Sequence, residues 1–382
     1  MDWFEKISFL RKKDSRIILG LMSGTSVDGL DIALCKVSGK GISTKIELLE
    51  FSTYEYDEFT KKQIHKAFEG TSEQICRLNF TISRVWASFI QDFLKEKKFP
   101  FDELDLIASH GQTIYHIHQH STLQIGEASV LAETFGVPVI SDFRVRDISA
   151  GGSGAPLVPF VDKLLFSHPF KNRVLQNIGG MSNLTFLPVS EEEKIIAFDT
   201  GPGNAIIDEA VSLATNGELK FDKDGKISMQ GGVRFKWIEF MVGNPYFSQK
   251  LPKSCGREDF GKEFVHDFIV CYNVDNFIDF VRTLVYFVAW SISSSYLNYL
   301  PFPPDEVFIS GGGALNPTLL YDLRNLLGKI PVKTADELGF SLEAKEAVSF
   351  AVLGNESLFG NPSNLPEITG ANRPVVLGKF CF

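Results

Sequence analysis

Apolar runs alternate with helical periodicities along the whole chain. Residues 17–22 and 32–37 are apolar, and the segment between them is small, hydroxylated and acidic, a pattern that predicts a β-hairpin. Residues 45–51 read as a third strand. Thr71 and Gln74 form a capping-box signature, and behind them Ile75, Leu78, Ile82, Val85, Trp86, Phe89 and Phe93 recur on one face of a long helix. That face is read as core packing. A short buried strand, 104–109, ends in His110-Gly111-Gln112-Thr113. Another strand end follows at 123–127, then a helix over 128–135 stopped by Gly136, then a strand over 137–144 that ends in charge.

The later half repeats the scheme. Residues 173–178 pass through Gly179-Gly180-Met181-Ser182-Asn183 into 184–187, and 195–198 end in Asp199-Thr200-Gly201-Pro202-Gly203-Asn204. Helices are expected at 204–215, 232–242, 261–271 and 276–300. A strand at 307–310 runs into Gly311-Gly312-Gly313, and a helix at 317–327, a strand near Val332 and a helix at 342–358 follow. Each half thus opens on a glycine-turn hairpin and continues in strand–helix alternation, which implies α/β sheets covered by helices. The glycine-rich stretch 150–156 is the expected hinge. Residues 1–15, with Trp3, Phe4, Phe9 and Leu10 among basic residues, read as a short helical extension.

Composition narrows the class. A chain of 382 residues exceeds the size at which one core keeps growing, so two domains are expected. The net charge of −9 argues against nucleic acid as a partner, since phosphate backbones are bound by basic surfaces. The 5 cysteines are odd in number and scattered without a CxxC pair, which fits a reduced, cytoplasmic setting. The N-terminus lacks the apolar core and cleavage site of a signal peptide. Residues 277–300 are long enough to cross a bilayer. They carry Asp279, Arg282, Ser291, Ser293, Ser294 and Ser295, so a buried core helix is expected and no membrane partner.

Four strand-end loops share glycines with hydroxyl, amide or acid groups: 23–31, 179–183, 199–204 and 311–316. Strand ends are where α/β folds bind ligands, and turn N–H groups make anion-binding concavities. G-x-x-x-x-G-K-[ST] is absent, which excludes a P-loop, and no G-x-G-x-x-G follows a strand, which argues against a dinucleotide fold. In the first loop, Gly24 and Gly29 let a bulky anion approach, Ser23, Thr25 and Ser26 can donate, and Asp28 and Asp31 can hold a divalent cation; a polar turn without ligand is the alternative. Asp199 can sit near a metal with phosphate at the helix start, or act as an N-cap. Gly311, Gly312 and Gly313 leave a surface for a base or ribose, or form a tight turn. Asp142, at a strand end, can serve as a general base or pair with Arg144 or Arg146. His116, His118 and His120 can share a strand face, but no Cys or carboxylate joins them as zinc would need. The segment 253–258 and Lys345-Glu346-Ala347 read as surface charge.

Taken together, the motifs resemble the anhydro-N-acetylmuramic acid kinases of the sugar kinase/Hsp70/actin superfamily. The resemblance rests on Gly20-Leu21-Met22-Ser23-Gly24-Thr25-Ser26-Val27-Asp28-Gly29-Leu30-Asp31, His110-Gly111-Gln112-Thr113-Ile114, Leu123-Gln124-Ile125-Gly126, Asp142-Phe143-Arg144, the block 151–159, Asn177-Ile178-Gly179-Gly180, 198–204, 311–313 and 345–347. One departure is Cys255, where Thr is expected; residues 1–15 are unmatched.

The resemblance implies a two-domain actin-like ATPase fold of RNase H-like domains, with the active site in the interdomain cleft. The domains would be 1–148 plus about 349–382, and 149–348. It implies an ATP-dependent kinase that hydrolytically opens the 1,6-anhydro ring and phosphorylates O6, in cytoplasmic cell-wall recycling. Asp142 maps onto the catalytic base. His110, Arg144 and Glu346 map near the sugar. The nucleotide would lie along Ser23, Gly24, Thr25, Ser26, Val27, Asp28, Gly29, Leu30 and Asp31, with Asp199, Gly201, Gly203, Gly311, Gly312 and Gly313. Mg²⁺ would bridge phosphates near Asp28, Asp31 or Asp199. The partners implied are the sugar and ATP, and a homodimer is compatible. A kinase for another sugar, or a nucleotide-binding regulator without a base, are the competing readings; Asp142 counts against the second.

Overall fold

The computed structural model describes residues 2–24, 27–190, 192–338 and 343–382. Packing divides the chain into two units, Met1–Leu165 with Glu343–Phe382, and Phe166–Leu342. The sequence boundaries at 148 and 349 fall inside the first of these.

The first unit begins with α1 (Trp3–Lys12), capped by the Asp2 carboxylate on the Glu5 amide. Then come β1 (Ser15–Ser23), β2 (Gly29–Ser38), β3 (Lys45–Glu55), α2 (Glu58–Ala67), α3 (Ser72–Glu96), β4 (Leu106–Ile117), β5 (Ser121–Ile125), α4 (Ala128–Phe135), β6 (Val139–Ser141), α5 (Phe143–Ser149) and α6 (Val158–Phe166). The second unit holds β7 (Arg173–Ile178), β8 (Met181–Leu187), β9 (Ile196–Pro202), α7 (Asn204–Ala214), α8 (Phe235–Met241), α9 (Lys262–Tyr272), α10 (Phe277–Tyr299), β10 (Glu306–Ser310), α11 (Pro317–Leu327) and β11 (Val332–Thr334). The chain then returns to the first unit as α12 (Lys345–Phe359), α13 (Pro366–Thr369) and β12 (Lys379–Cys381).

Both sheets have one topology. In the first unit the order is β3-β2-β1-β4-β6-β12, with β5 on β4; in the second it is β9-β8-β7-β10-β11. Each has three antiparallel strands in sequence, followed by two that join in parallel through helical crossovers. This repeated order is that of RNase H-like domains, and two of them in one chain make the two-domain actin-like fold.

Local chemistry explains the differences from the sequence expectation. The strand expected at 104–109 runs on to Ile117, because Gly111 adopts φ +84° and β5 pairs with the continuation. The strand expected at 137–144 ends at Ser141, because Asp142 turns left-handed (φ 57°) and starts α5. The glycine-rich stretch 150–156 is tied into the first unit. The Gly154 N–H donates to the buried Asp147 carboxylate at 2.8 Å, and a Cβ on Gly152 would lie 2.2 Å from the same group.

Each unit has its own core. In the first, α3 packs Leu78, Ile82, Trp86, Ile90 and Phe93 against the sheet. Across β1, β2 and β4 lies α12. In the second, α10 runs through the core, with Phe280, Leu284, Phe287 and Ile292 buried, and Arg282 makes a bidentate pair with Asp322 at 2.6 and 2.8 Å. The apolar stretch is a core helix, as expected; it is also the one described helix long and apolar enough to cross a membrane.

Candidate functional site

In the first unit, β1 and β2 pair through Met22 and Asp31 and frame the polar turn. Thr25 and Ser26 lie outside the described residues. Ser23 is buried, and its hydroxyl sits 2.7 Å from Gln112 Oε1 and 2.8 Å from the Tyr56 hydroxyl. Its single proton is therefore engaged inside the protein. The Gly24 carbonyl accepts from the Val27 N–H at 3.3 Å and from Gln112 Nε2 at 3.1 Å. Val27 is buried at φ 59°, a backbone that a β-branched residue adopts only under strain of about 1–3 kcal/mol. Such strain clusters at ligand-holding loops. A Cβ on Gly29 would lie 2.3 Å from the Tyr54 carbonyl, so only glycine lets β2 meet β3 there. Leu30 is buried and anchors the turn to the core.

Asp28 is exposed and its carbonyl accepts from the Tyr56 N–H at 3.0 Å. Asp31 is half-buried and accepts from the Thr53 hydroxyl at 2.6 Å. Burial pushes its pKa up, and the Glu343 and Asp28 carboxylates push the same way. An oxygen donor whose charge is held at a cost is one that a hard divalent cation relieves, so Asp31 fits Mg²⁺. Among the described residues no three His, Cys, Asp or Glu cluster as a metal cage. That also applies to His116, His118 and His120; His116 instead bonds the Thr122 hydroxyl at 3.1 Å. A phosphate-bridging Mg²⁺ needs only one or two carboxylates.

Asp142, His110, Gln124, Glu127, Asn79 and Ser141 line one pocket of about 450 Å³ in this unit. Asp142 pairs with Lys379 of β12 at 2.8 Å, and not with Arg144 or Arg146. Arg144 points elsewhere: its Nε donates to His110 Nε2 at 3.0 Å and its Nη1 to the Gly154 carbonyl at 3.0 Å. His110 Nδ1 lies 2.8 Å from the Gly111 carbonyl, so Nδ1 carries the proton and Nε2 accepts. Burial, and then the Arg144 charge, lower the His110 pKa to about 3. The imidazole is neutral at physiological pH and serves as a fixed acceptor.

Glu346, in the first turn of α12, is solvent-accessible. The protein packed around its carboxyl raises its pKa, Asp31 raises it further, and Arg144 and Lys345 oppose the rise. Glu346, Asp31 and Arg144 therefore share one electrostatic neighbourhood. The helix start carrying Glu346 lies directly on β1, because Gly20 has no side chain to hold it off.

The His110 pKa has a consequence for stability. Unfolded, His110 titrates near 6.5; folded, near 3. Between these values the unfolded chain binds the extra proton, so stability is full above pH 6.5 and is lost as pH falls toward 3. The expected result is a melting temperature that drops between pH 6.5 and 4, at about 1.4 kcal/mol per pH unit at most. His110→Gln, which keeps an acceptor for Arg144, should flatten the slope; an identical slope in a thermal-shift series would remove His110 as its source.

In the second unit three glycine loops converge at the ends of β7, β9 and β10. The Asn204 N–H donates to the Gly179 carbonyl at 2.7 Å and the Gly203 N–H to the Gly180 carbonyl at 3.0 Å. A Cβ on Gly203 would lie 2.3 Å from the Gly179 carbonyl, and one on Gly311 (φ +79°) 2.6 Å from the Ile178 carbonyl. Gly313 is equally crowded by Ile178, whereas Gly312 is exposed with only Asn204 near. Gly201, at φ +134°, faces the Phe247 ring. Asp199 is half-buried in the middle of β9, because the strand expected to end at 198 runs on to Pro202 and pairs Asp199 with Asn183 of β8. The N-cap of α7 is Gly203, so Asp199 is not the helix cap. Burial raises the Asp199 pKa, and the Cys255 N–H at 3.0 Å and the Lys253 charge pull it down.

Sequence reasoning missed this support. The segment 253–258 read as surface charge, yet Lys253 is buried with its ammonium 4.4 Å from the Tyr246 ring centroid and 4.2 Å from that of Tyr299. The unusual Cys255 serves Asp199 through its main-chain N–H, which a Thr would supply equally. A second pocket of about 570 Å³, beside α7 and α9, holds Asp208 and Arg257. Burial raises the Asp208 pKa to about 6 against the pull of Arg257. The one signal for these residues was the Pro252-Lys253-Ser254-Cys255-Gly256-Arg257 run.

Two RNase H-like units in one chain, each with glycine loops at strand ends, define a protein of the actin-like class. The family model for anhydro-N-acetylmuramic acid kinase matches residues 16–382, and the chain belongs to that family. It is 43% identical to an anhydro-N-acetylmuramic acid kinase of Caldanaerobacter subterraneus subsp. tengcongensis, over 98% of this chain and 99% of that one. It is 42% identical to one from Bacillus cereus, over 96% and 99%. Among solved structures, component A of the (R)-2-hydroxyglutaryl-CoA dehydratase of Acidaminococcus fermentans aligns over 90% of this chain and 100% of its own, with 13% identity and a TM-score of 0.45.

Proposed function

We propose that this kinase opens the 1,6-anhydro bridge of anhydro-N-acetylmuramic acid with water and transfers the γ-phosphate of ATP to the released O6. The observation that carries the reading is the pocket holding Asp142 beside the His110–Arg144 pair. Its carboxylate is reachable, and its neighbours are fixed hydrogen-bonding groups suited to a sugar.

Asp142 removes a proton from water as the water oxygen bonds to C1. The C1–O6 bond breaks, and O6 attacks the γ-phosphorus with ADP leaving. His110 and Arg144 orient the sugar, and Glu346 hydrogen-bonds it from the start of α12. The turn 23–31 receives the ATP phosphates. Asp199, Gly201, Gly203, Gly311, Gly312 and Gly313 serve the nucleotide in the second unit. Asp28, Asp31 or Asp199 would hold Mg²⁺, which supplies charge neutralisation for phosphoryl transfer. The setting is the cytoplasm, in cell-wall recycling.

The test is incubation with ATP, Mg²⁺ and the anhydro sugar in ¹⁸O-water. The expected product is the 6-phosphate with the label at the C1 hydroxyl and none in the phosphate, read promptly by mass spectrometry. A product without label at C1, or no phosphorylated sugar, overturns the reading.

A further inference from the structure

The long helix α3 places Trp86 fully buried, where its spacing alone reads as core filling. Its indole N–H, however, is 2.7 Å from the Tyr56 hydroxyl. Tyr56 is 2.8 Å from Ser23 Oγ, Ser23 Oγ is 2.7 Å from Gln112 Oε1, and Gln112 Nε2 is 3.1 Å from the Gly24 carbonyl. All four side chains are buried.

Donor and acceptor chemistry gives the chain its direction. An indole N–H can only donate, so the Tyr56 oxygen accepts from Trp86. Gln112 Oε1 at 2.7 Å and the Gly29 carbonyl at 3.1 Å can only accept, so the Ser23 proton goes to them, Gln112 Oε1 being the nearer, and Ser23 Oγ takes the Tyr56 proton. The Gln112 amide is oriented by the carbonyls of Gly24 and Thr113, which both need a donor. The chain ends on the turn between β1 and β2.

Its other end is at the Asp142 pocket. A Cβ on Gly126 would lie 2.1 Å from the Trp86 ring, and Gly126 lines that pocket. The Gly126 N–H is held by Asn79 Oδ1 at 2.7 Å, about two helical turns before Trp86 on the same helix.

We propose that Trp86, Tyr56 and Gln112 are positioning residues for the phosphate-binding turn, a one-way hydrogen-bond chain that anchors the Gly24 carbonyl to the wall of the sugar pocket. This rests on the reading that the turn binds ATP phosphates. It also assigns the Ser23 hydroxyl to the chain, so that it is not a phosphate donor. Buried chains of this kind rigidify when every member is satisfied and fail as a unit when one link is cut.

The test uses Tyr56→Phe, which deletes one oxygen and keeps the ring, Trp86→Phe, and the double variant. Calorimetry with a non-hydrolysable ATP analogue and Mg²⁺ gives affinity without turnover. Each single variant should weaken analogue binding by about tenfold. The double variant should be no weaker than the worse single, because links in series break once, whereas a purely structural role would add thermal losses and leave affinity unmoved. In Tyr56→Phe the KM for the sugar should stay within about twofold of wild type. Analogue affinity within about twofold of wild type in folded Tyr56→Phe overturns the inference, as does a double variant whose losses multiply. Wild type that binds no analogue overturns the functional reading and the inference together; normal wild-type binding with an unaffected Tyr56→Phe overturns the inference alone.

Discussion

Asp142→Asn retains ATP binding and loses turnover by about 10²–10⁴-fold, the range for removal of a general base. The substitution isolates the chemistry because Asn, like Asp, tolerates the left-handed backbone (φ 57°) at this position. Ala would add strain there and confuse the result. The ATP-side turn does not depend on the Asp142 carboxylate, since its anchors are Gln112, Tyr56 and Val27. Among the described residues Asp142 pairs with Lys379, whose side chain is 62% exposed. A pair so open to water contributes about 0–1 kcal/mol. Lys379→Met should therefore change turnover by only a few-fold, leaving the carboxylate free to take the proton of the attacking water. Phosphotransfer rates measured beside nucleotide calorimetry decide it. Surviving turnover in Asp142→Asn removes Asp142 as the base.

Much of this arrangement was legible in the chain. The capping box at Thr71 and Gln74, the hairpin around the turn and the strand–helix alternation follow from short-range rules, because their hydrogen bonds close within a few residues. Glycine also spoke clearly: Gly203 and Gly311 are required by backbone contacts that admit no Cβ. What was not legible is long-range pairing. Asp142 finds Lys379 across 237 residues, and Ser23 finds Gln112 across 89. Spacing had offered Arg144 and Arg146 as partners for Asp142. The fold spends Arg144 on His110 instead, and only the tertiary arrangement could show it. Lys253 failed the sequence reading for a related reason: a lysine is assigned to the surface unless aromatic rings are known to enclose it.

Gly20→Ala gives the second large effect, through packing. A Cβ at this position would lie 1.9 Å from the Ala347 carbonyl oxygen and 3.0 Å from the Ala351 N. Both are backbone atoms of α12, so no rotamer change and no truncation of a neighbouring side chain can relieve the clash. The start of α12 must move off β1, and Glu346 moves with it. Overpacking of this kind costs about 1–3 kcal/mol, and a misplacement near 1 Å of a substrate-orienting group costs about 100-fold in rate. The expected result is a lower melting temperature and a fall of about 100-fold in kcat/KM for the sugar, while ATP-analogue affinity changes less, because the side chains that hydrogen-bond the turn, Gln112 and Tyr56, stand on β4 and after β3, and among the described residues none comes from α12. Gly136→Ala separates displacement from mere destabilisation. Gly136 is left-handed, at φ +63°, unlike Gly20, but a Cβ there meets nothing within 4 Å. That variant should lose some stability to backbone strain and keep its sugar kinetics. Wild-type sugar kinetics in Gly20→Ala would show that Glu346 is not held in place by the contact between β1 and α12, and would detach Glu346 from the proposed sugar site.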